Sequence, residues 1–400
     1  MPAHPGERGP AARHLYVHVP FCRSRCAYCD FASEPFGSHD RAGRVAAYVV
    51  ALRAELERES PWLALPLETA YVGGGTPTTL PPDLLFPFVR SVARLTRPGG
   101  EVTVETTPTT ADERTLAGLR EAGATRLSMG VQSFAPALRR ALGRRCTDAE
   151  LDLAIAAVRD SGFEEWNVDL IFGIPGQSWE QAQADLRAAA AMHPTHISLY
   201  DLTYTTRYAA WVAAQSGPAA RDEAASFAEE HYADATALLE SAGYRRYEVS
   251  NYALPEHECR HNLAYWRGDD YLGVGASAVS TLGLARRTNP GTVAAYLAGD
   301  RPGIEPLTAE IRLFARAMLG LRTVDGVAED EVAPMLDQAA VALMIERGYV
   351  RRAYPGRVRR AHGDCARGAY ATLTLSPEGL DLSNAILAAI LRLPGEHQST

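Results

Sequence analysis

FCRSRCAYCDF, Phe21–Phe31, carries three of the chain's six cysteines within eight positions, spaced C-x3-C-x2-C. Thiolates are the preferred ligands of zinc and of iron–sulfur clusters. Structural zinc needs four ligands, usually as two separated pairs. Here Asp30 follows the third thiol, and Cys146, Cys259 and Cys365 are isolated. Two readings stand. One is a zinc site completed by His18 or His39. The other is a cubane [4Fe-4S] cluster whose three irons are held by Cys22, Cys26 and Cys29. Its fourth iron keeps an open position that can chelate an amino group and a carboxylate.

Composition narrows the class. Four hundred residues are enough for two or three domains with a sizeable core. With 46% apolar and 22% charged residues the chain reads as an ordinary globular protein. The formal net charge of -8 argues against a general nucleic-acid or anionic-membrane binder. No apolar run is long enough to span a bilayer, and the polar, Pro/Gly-rich N-terminus reads as a disordered tail rather than a signal. Cysteines this sparse make no disulfide framework, which points to a reducing cytoplasm.

From residue 14 to about 203, short apolar runs alternate with helical periodicity. LYVHV, TAYVGGG, EVTVET, TRLSMGV, WNVDLIFG and THISLYDL are the strand candidates. ADERTLAGLREAG, between the third and fourth, is a helix begun near Asp112 and stopped at Gly123. Six strand–helix repeats predict an α/β fold with a parallel sheet, and right-handed crossovers make it curl. Polar and glycine positions gather at strand ends: Gly73–Thr76, Glu105, Gln132 and Asp169. Parallel folds place ligands there, which favours a partial (β/α)6 TIM-like barrel. The expected organisation is a tail over 1–13, the barrel over 14–215 and an extension over 216–304. A helical C-terminal domain over 305–400 includes a hairpin and a basic loop and resembles a winged helix. The acidic whole favours a solvated wing over a DNA reader.

The C-x3-C-x2-C motif follows a strand and has an aromatic before its last cysteine. In this it resembles the radical S-adenosylmethionine (SAM) superfamily. YVHVPFCRSRCAYCDF, VGGGTPT, SMGVQSF, ALGRR and NVDLIFGIPGQ resemble, within it, the family of oxygen-independent coproporphyrinogen oxidase and its relatives, over about residues 14–382. The resemblance implies a radical SAM-type barrel with a [4Fe-4S] cluster on Cys22, Cys26 and Cys29, and SAM on its open iron. It also implies SAM contacts from Tyr16, Tyr28, Gly74, Gly75, Thr76, Glu105, Gln132, Arg144 and Asp169. Taken alone, the glycine turn could be strand punctuation, Glu105 a core-edge carboxylate and Asp169 a structural ion-pair partner.

Two departures separate the branches of that family. The oxidase carries a further cysteine two residues past the third, where this chain has Phe31. The segment CRHNLAYWRGDDYLGVG holds H-N-x-x-Y-W as His261, Asn262, Tyr265 and Trp266. That motif is typical of the family's heme-chaperone branch, and an imidazole beside Tyr and Trp suits heme. Read without the resemblance, it is a packed aromatic loop whose histidine caps a helix. Other positions differ from the branch pattern: LGRRC ends in Cys146 where a histidine is usual, GASAVS lacks a histidine, and LTYTTRY stands for LTIEPGT. The expected function is heme binding and transfer to acceptor proteins. The alternatives are a radical SAM methylase or other tailoring enzyme, and the oxidase itself. Cleavage of SAM is expected, with an electron donor of unknown identity; partners include no nucleic acid, and a homodimer is open.

Overall fold

The computed structural model describes residues 12–35, 41–354 and 371–395. Nearly all of the expected tail, His39, Cys365 and most of the basic loop lie outside them. The chain divides into two compact units, one comprising 1–231 with 270–305, the other 232–269 with 306–400. The segment 216–304, expected as one extension of the barrel, is thereby shared between them.

The first unit is built on six strands that follow the predicted series. They are β1 (His14–Val19), β2 (Leu67–Gly74), β3 (Thr96–Thr106), β4 (Arg126–Gln132), β5 (Glu165–Phe172) and β6 (His196–Asp201). A further strand, β7 (Tyr271–Val274), pairs parallel with β1 on its other side, His14 opposite Tyr271 and Val17 opposite Val274. The parallel order is β7-β1-β2-β3-β4-β5-β6. Sequence periodicity had not revealed β7. Beyond it, β8 (Val279–Leu282) and β9 (Ala285–Thr288) continue antiparallel, with β10 (Gly303–Pro306) next to β9. This is a curled, mostly parallel sheet, the partial barrel the repeats predict.

Helices connect the strands. They are α1 (Arg41–Glu59), α2 (Pro82–Ala93), α3 (Glu113–Glu121), α4 (Pro136–Ala141), α5 (Asp148–Asp160), α6 (Trp179–Ala191), α7 (Thr206–Ser216) and α8 (Ala220–Ser241). Local chemistry sets their starts. The Asp112 carboxylate accepts the Thr115 amide at 2.7 Å to open α3. Thr147 with Glu150, and Ser178 with Gln181, form reciprocal capping boxes on α5 and α6. On α1, Glu55 is buried and accepts from the Gly275 amide at 2.7 Å, Asn289 at 2.7 Å and the Tyr296 hydroxyl at 2.6 Å. A carboxylate so buried needs such partners, and they tie α1 to the strands after β7.

Two-residue alternation divides the sheet's faces. Leu15, Val17, Ala70, Val72, Val102, Val104, Leu127, Met129, Val168, Leu170, Ile197 and Leu199 are buried on one face. The residues between them are polar: Tyr16, Tyr71, Thr103, Glu105, Ser128, Asn167, Asp169, His196 and Ser198. Register carries them across the sheet, Tyr16 opposite Tyr71, Glu105 opposite Ser128, Ser128 opposite Asn167 and Asp169 opposite Ser198. A parallel sheet apolar on both faces would be filled by side chains. This one turns a hydrogen-bonding face inward.

The second unit contains α9 (Arg260–Trp266), α11 (Ala309–Gly320), β11 (Val327–Ala328), α12 (Glu329–Val332), α13 (Gln338–Glu346), β12 (Val350–Ala353), β13 (Thr372–Leu375), α14 (Pro377–Asp381) and α15 (Ser383–Ile390); α10 (Val293–Leu297) belongs to the first. Its antiparallel sheet runs β11-β13-β12. Ala317, Leu321, Val332, Val341, Leu373 and Leu387 are among its core residues. From α11 onward the order helix, strand, helix, helix, strand, strand is that of a winged helix, as expected.

Candidate functional site

The thiol loop leaves the carboxyl end of β1. Cys22, Cys26 and Cys29 are free and half-buried. Burial pushes the Cys22 and Cys29 thiols up, and the neighbouring thiols push them further, so all three lie within one another's field. Among the described residues no three His, Cys, Asp or Glu side chains could share a single metal ion. His18 is also committed. Its Nε2–H donates to the Ala32 carbonyl at 2.8 Å, which leaves Nδ1 to accept the Tyr16 hydroxyl at 2.9 Å. Burial lowers the imidazole's pKa from its ordinary value. Both nitrogens are therefore engaged within the chain.

The loop is seated on the glycine turn that ends β2. The Thr76 amide donates to the Phe21 carbonyl at 2.8 Å, and the Thr76 hydroxyl lies 3.7 Å from Cys22 Sγ. A Cβ on Gly75 would fall 2.7 Å from the Phe21 carbonyl and 3.0 Å from Cys22 Sγ, so only glycine lets the two segments close. On its other side, Ala27 donates its amide to the Leu142 carbonyl at 3.0 Å. The following residues, Gly143 and Arg144, belong to the ALGRR segment. Arg144 donates to the Gly130 carbonyl at 2.7 Å and reaches the Tyr28 hydroxyl at 3.5 Å.

Glu105 faces the same turn. Its Oε2 accepts the Gly74 amide at 2.9 Å and its Oε1 the Tyr71 hydroxyl at 2.8 Å. Burial raises its pKa to about 7, and the Asp169 charge adds to the rise. Asp169 accepts from Asn167 at 2.7 Å and Ser128 at 3.3 Å, and burial raises it as well. Asn167 in turn meets His196 Nδ1 at 2.7 Å and the Ser198 hydroxyl at 3.2 Å. Gln132 ends β4 at φ 75°, next to a register shift between Gly130 and Gln132. A non-glycine residue held there stores strain of the kind found at binding sites.

The predicted residues Tyr16, Tyr28, Gly74, Gly75, Thr76, Glu105, Gln132, Arg144 and Asp169 thus lie on the polar face of β1–β5 or the loops at its carboxyl end. Sequence reading missed Tyr71, Ser128, Asn167, His196 and Ser198. Their signal was the polar alternation inside RLSMG, WNVDL and HISLY. Arg144, which reaches the Tyr28 hydroxyl, and Arg207, which donates to the Cys29 carbonyl at 2.7 Å, are cationic neighbours that suit a thiolate-bound cluster, which carries net negative charge. The donor set therefore fits a cluster.

His261, Asn262, Tyr265 and Trp266 fall on α9 in the second unit. His261 is only 1% exposed, and its ring meets that of Tyr265 edge-on at 4.8 Å. It lies inside the first turn rather than at the cap, which is Cys259. Asn262, Tyr265 and Trp266 are half-exposed.

Residues 16–189 match the Radical SAM superfamily. Heme chaperone HemW of Synechocystis is 35% identical over 334 residues, covering 78% of this chain and 78% of its own. That of Escherichia coli is 32% identical over 359 residues, covering 84% and 91%. That of Bacillus subtilis is 31% identical over 335 residues, covering 80% and 86%. In fold, the chain superposes on coproporphyrinogen III oxidase of Escherichia coli, a radical SAM enzyme, with a TM-score of 0.73 at 21% identity, over 96% of this chain and 90% of that one. Thiol loop, glycine turn and family likeness agree: the chain belongs to the HemW family within the radical SAM superfamily.

Proposed function

We propose that this protein is a heme chaperone of the radical SAM type, which binds heme and passes it to acceptor proteins. The observation that carries the reading is likeness to proteins described as heme chaperones over about four-fifths of the chain. Phe31 in place of the oxidase's additional cysteine supports it over porphyrinogen decarboxylation.

In this reading Cys22, Cys26 and Cys29 hold a [4Fe-4S] cluster. When bound, cluster and SAM together supply one-electron chemistry at the sulfonium. The chain's own residues bind and orient. Gly74, Gly75 and Thr76 present backbone and hydroxyl groups to the amino-acid end of SAM. Glu105 fixes the turn and supplies negative charge. Gln132 and Arg144 provide donors at the ends of β4 and α4. Asp169, aligned by Ser128 and Asn167, accepts ribose hydroxyls, and Tyr16 and Tyr28 flank the site. Heme is assigned to the α9 segment, where Tyr265 and Trp266 offer aromatic surface. The buried His261 reaches heme iron only if α9 shifts. Air-sensitive thiols of this kind suit a reducing cytoplasm.

The test is a heme titration followed by transfer. A stoichiometric Soret band and handover to an apo-acceptor support the reading, with His261→Ala binding more weakly. No heme uptake by the wild-type protein refutes it. Formation of S-adenosylhomocysteine beside 5′-deoxyadenosine would indicate a methylase instead.

A further inference from the structure

We propose that Arg207 is a positioning residue that latches the three-cysteine loop to α7 and sets the charge beside the metal the loop holds. The Thr205 hydroxyl accepts the Tyr208 amide at 3.1 Å and fixes the first turn of α7. From that turn Arg207 donates to the Cys29 carbonyl at 2.7 Å and approaches the Cys26 carbonyl at 3.4 Å. Those two carbonyls bracket Tyr28, whose ring meets that of Tyr208 edge-on at 6.5 Å. Tyr208 is itself fixed, stacked on Trp211 at 5.8 Å with its hydroxyl donating to the Ala141 carbonyl at 3.0 Å. One helical turn therefore grips the loop twice, by its backbone through Arg207 and by a side chain through Tyr208.

Arg207 lies in LTYTTRY, where the resembled family reads LTIEPGT, so the arginine is not part of that quoted pattern. A single guanidinium nitrogen, Nη2, faces both carbonyls. Bound to the carbonyls of two thiol-bearing residues, its charge favours the electron-richer state of whatever metal they carry.

The test uses the full chain in two states. In metal-free protein, tryptic nicking after Arg23 and Arg25, both exposed, reports loop opening, because cleavage follows the population of the opened form. Arg207→Gln is expected to nick about tenfold faster, the loss of one charged hydrogen bond. Arg207→Lys, which keeps the charge but not the guanidinium's shape and reach, should nick at an intermediate rate, with the melting temperature unchanged in both. After reconstitution with iron and sulfide, the reduction midpoint should be more negative in Arg207→Gln and remain at the wild-type value in Arg207→Lys. The midpoint arm rests on the cluster reading; the nicking arm needs no metal, SAM or heme, so the two failures are distinguishable. Equal nicking in all three proteins overturns the latch, and equal midpoints in wild type and Arg207→Gln overturn the charge role.

Discussion

Glu105 Oε2 accepts the Gly74 amide at 2.9 Å, which makes the carboxylate of β3 and the glycine turn after β2 one structural unit. A Cβ on Gly73 would stand 2.7 Å from Glu105 Cδ, so this carboxylate fills the space that the missing side chain leaves. The turn on which the thiol loop sits is thus set by a buried acid.

That acid makes stability pH-dependent. Its pKa is raised to about 7 in the fold, from an ordinary value of 4.5. The folded state then holds a proton that the unfolded chain gives up, so stability is greatest below about 4.5 and falls as pH rises toward 7. Glu105→Gln should remove that decline, on the order of 3 kcal/mol. Denaturant titrations of both proteins across pH 5 to 8 check this; parallel pH profiles would refute it. Above about pH 7, where Glu105 is ionised, the same substitution should also weaken SAM binding by removing its negative charge.

Replacing Cys22, Cys26 or Cys29 by Ala should each lower bound iron after anaerobic reconstitution and abolish SAM cleavage. Iron analysis with detection of 5′-deoxyadenosine reads both. Retained cleavage in any one of the three would count against a shared cluster.

Gly75→Ala should disturb the loop without touching a thiol. The added methyl meets the Phe21 backbone, which cannot rotate away as a flexible side chain could. A cost of about 1–3 kcal/mol follows, with reduced iron loading. Thermal melts of metal-free protein separate the packing effect from metal binding.

Arg144→Gln should leave iron content intact and weaken SAM binding roughly ten- to a hundredfold, the range for losing a charged hydrogen-bonding group. Equilibrium dialysis with SAM measures it. A parallel loss of iron would show that Arg144 serves the loop instead.

Much of this was legible because it is local. The thiol spacing, the glycine turn and the helix start at Asp112 each depend on a few neighbouring residues. The strand Tyr271–Val274 was not, because its partner is His14–Val17, more than 250 residues earlier in the chain. Membership of 232–269 in the second unit is non-local in the same way. The inner polar face was half visible. Asp169 stood out as a charge inside an apolar run, while Ser128, Asn167 and Ser198 passed as ordinary strand residues until register aligned them. The H-N-x-x-Y-W segment was legible as a motif, yet the burial of His261 depends on packing no motif records.

The most direct measurement is electron paramagnetic resonance, with metal analysis, on protein reconstituted and reduced under strict exclusion of air. About four irons per chain and a reduced-cluster signal that changes when SAM is added are expected, because SAM occupies the open iron. Zinc in the loop, or a cluster signal indifferent to SAM, would contradict it.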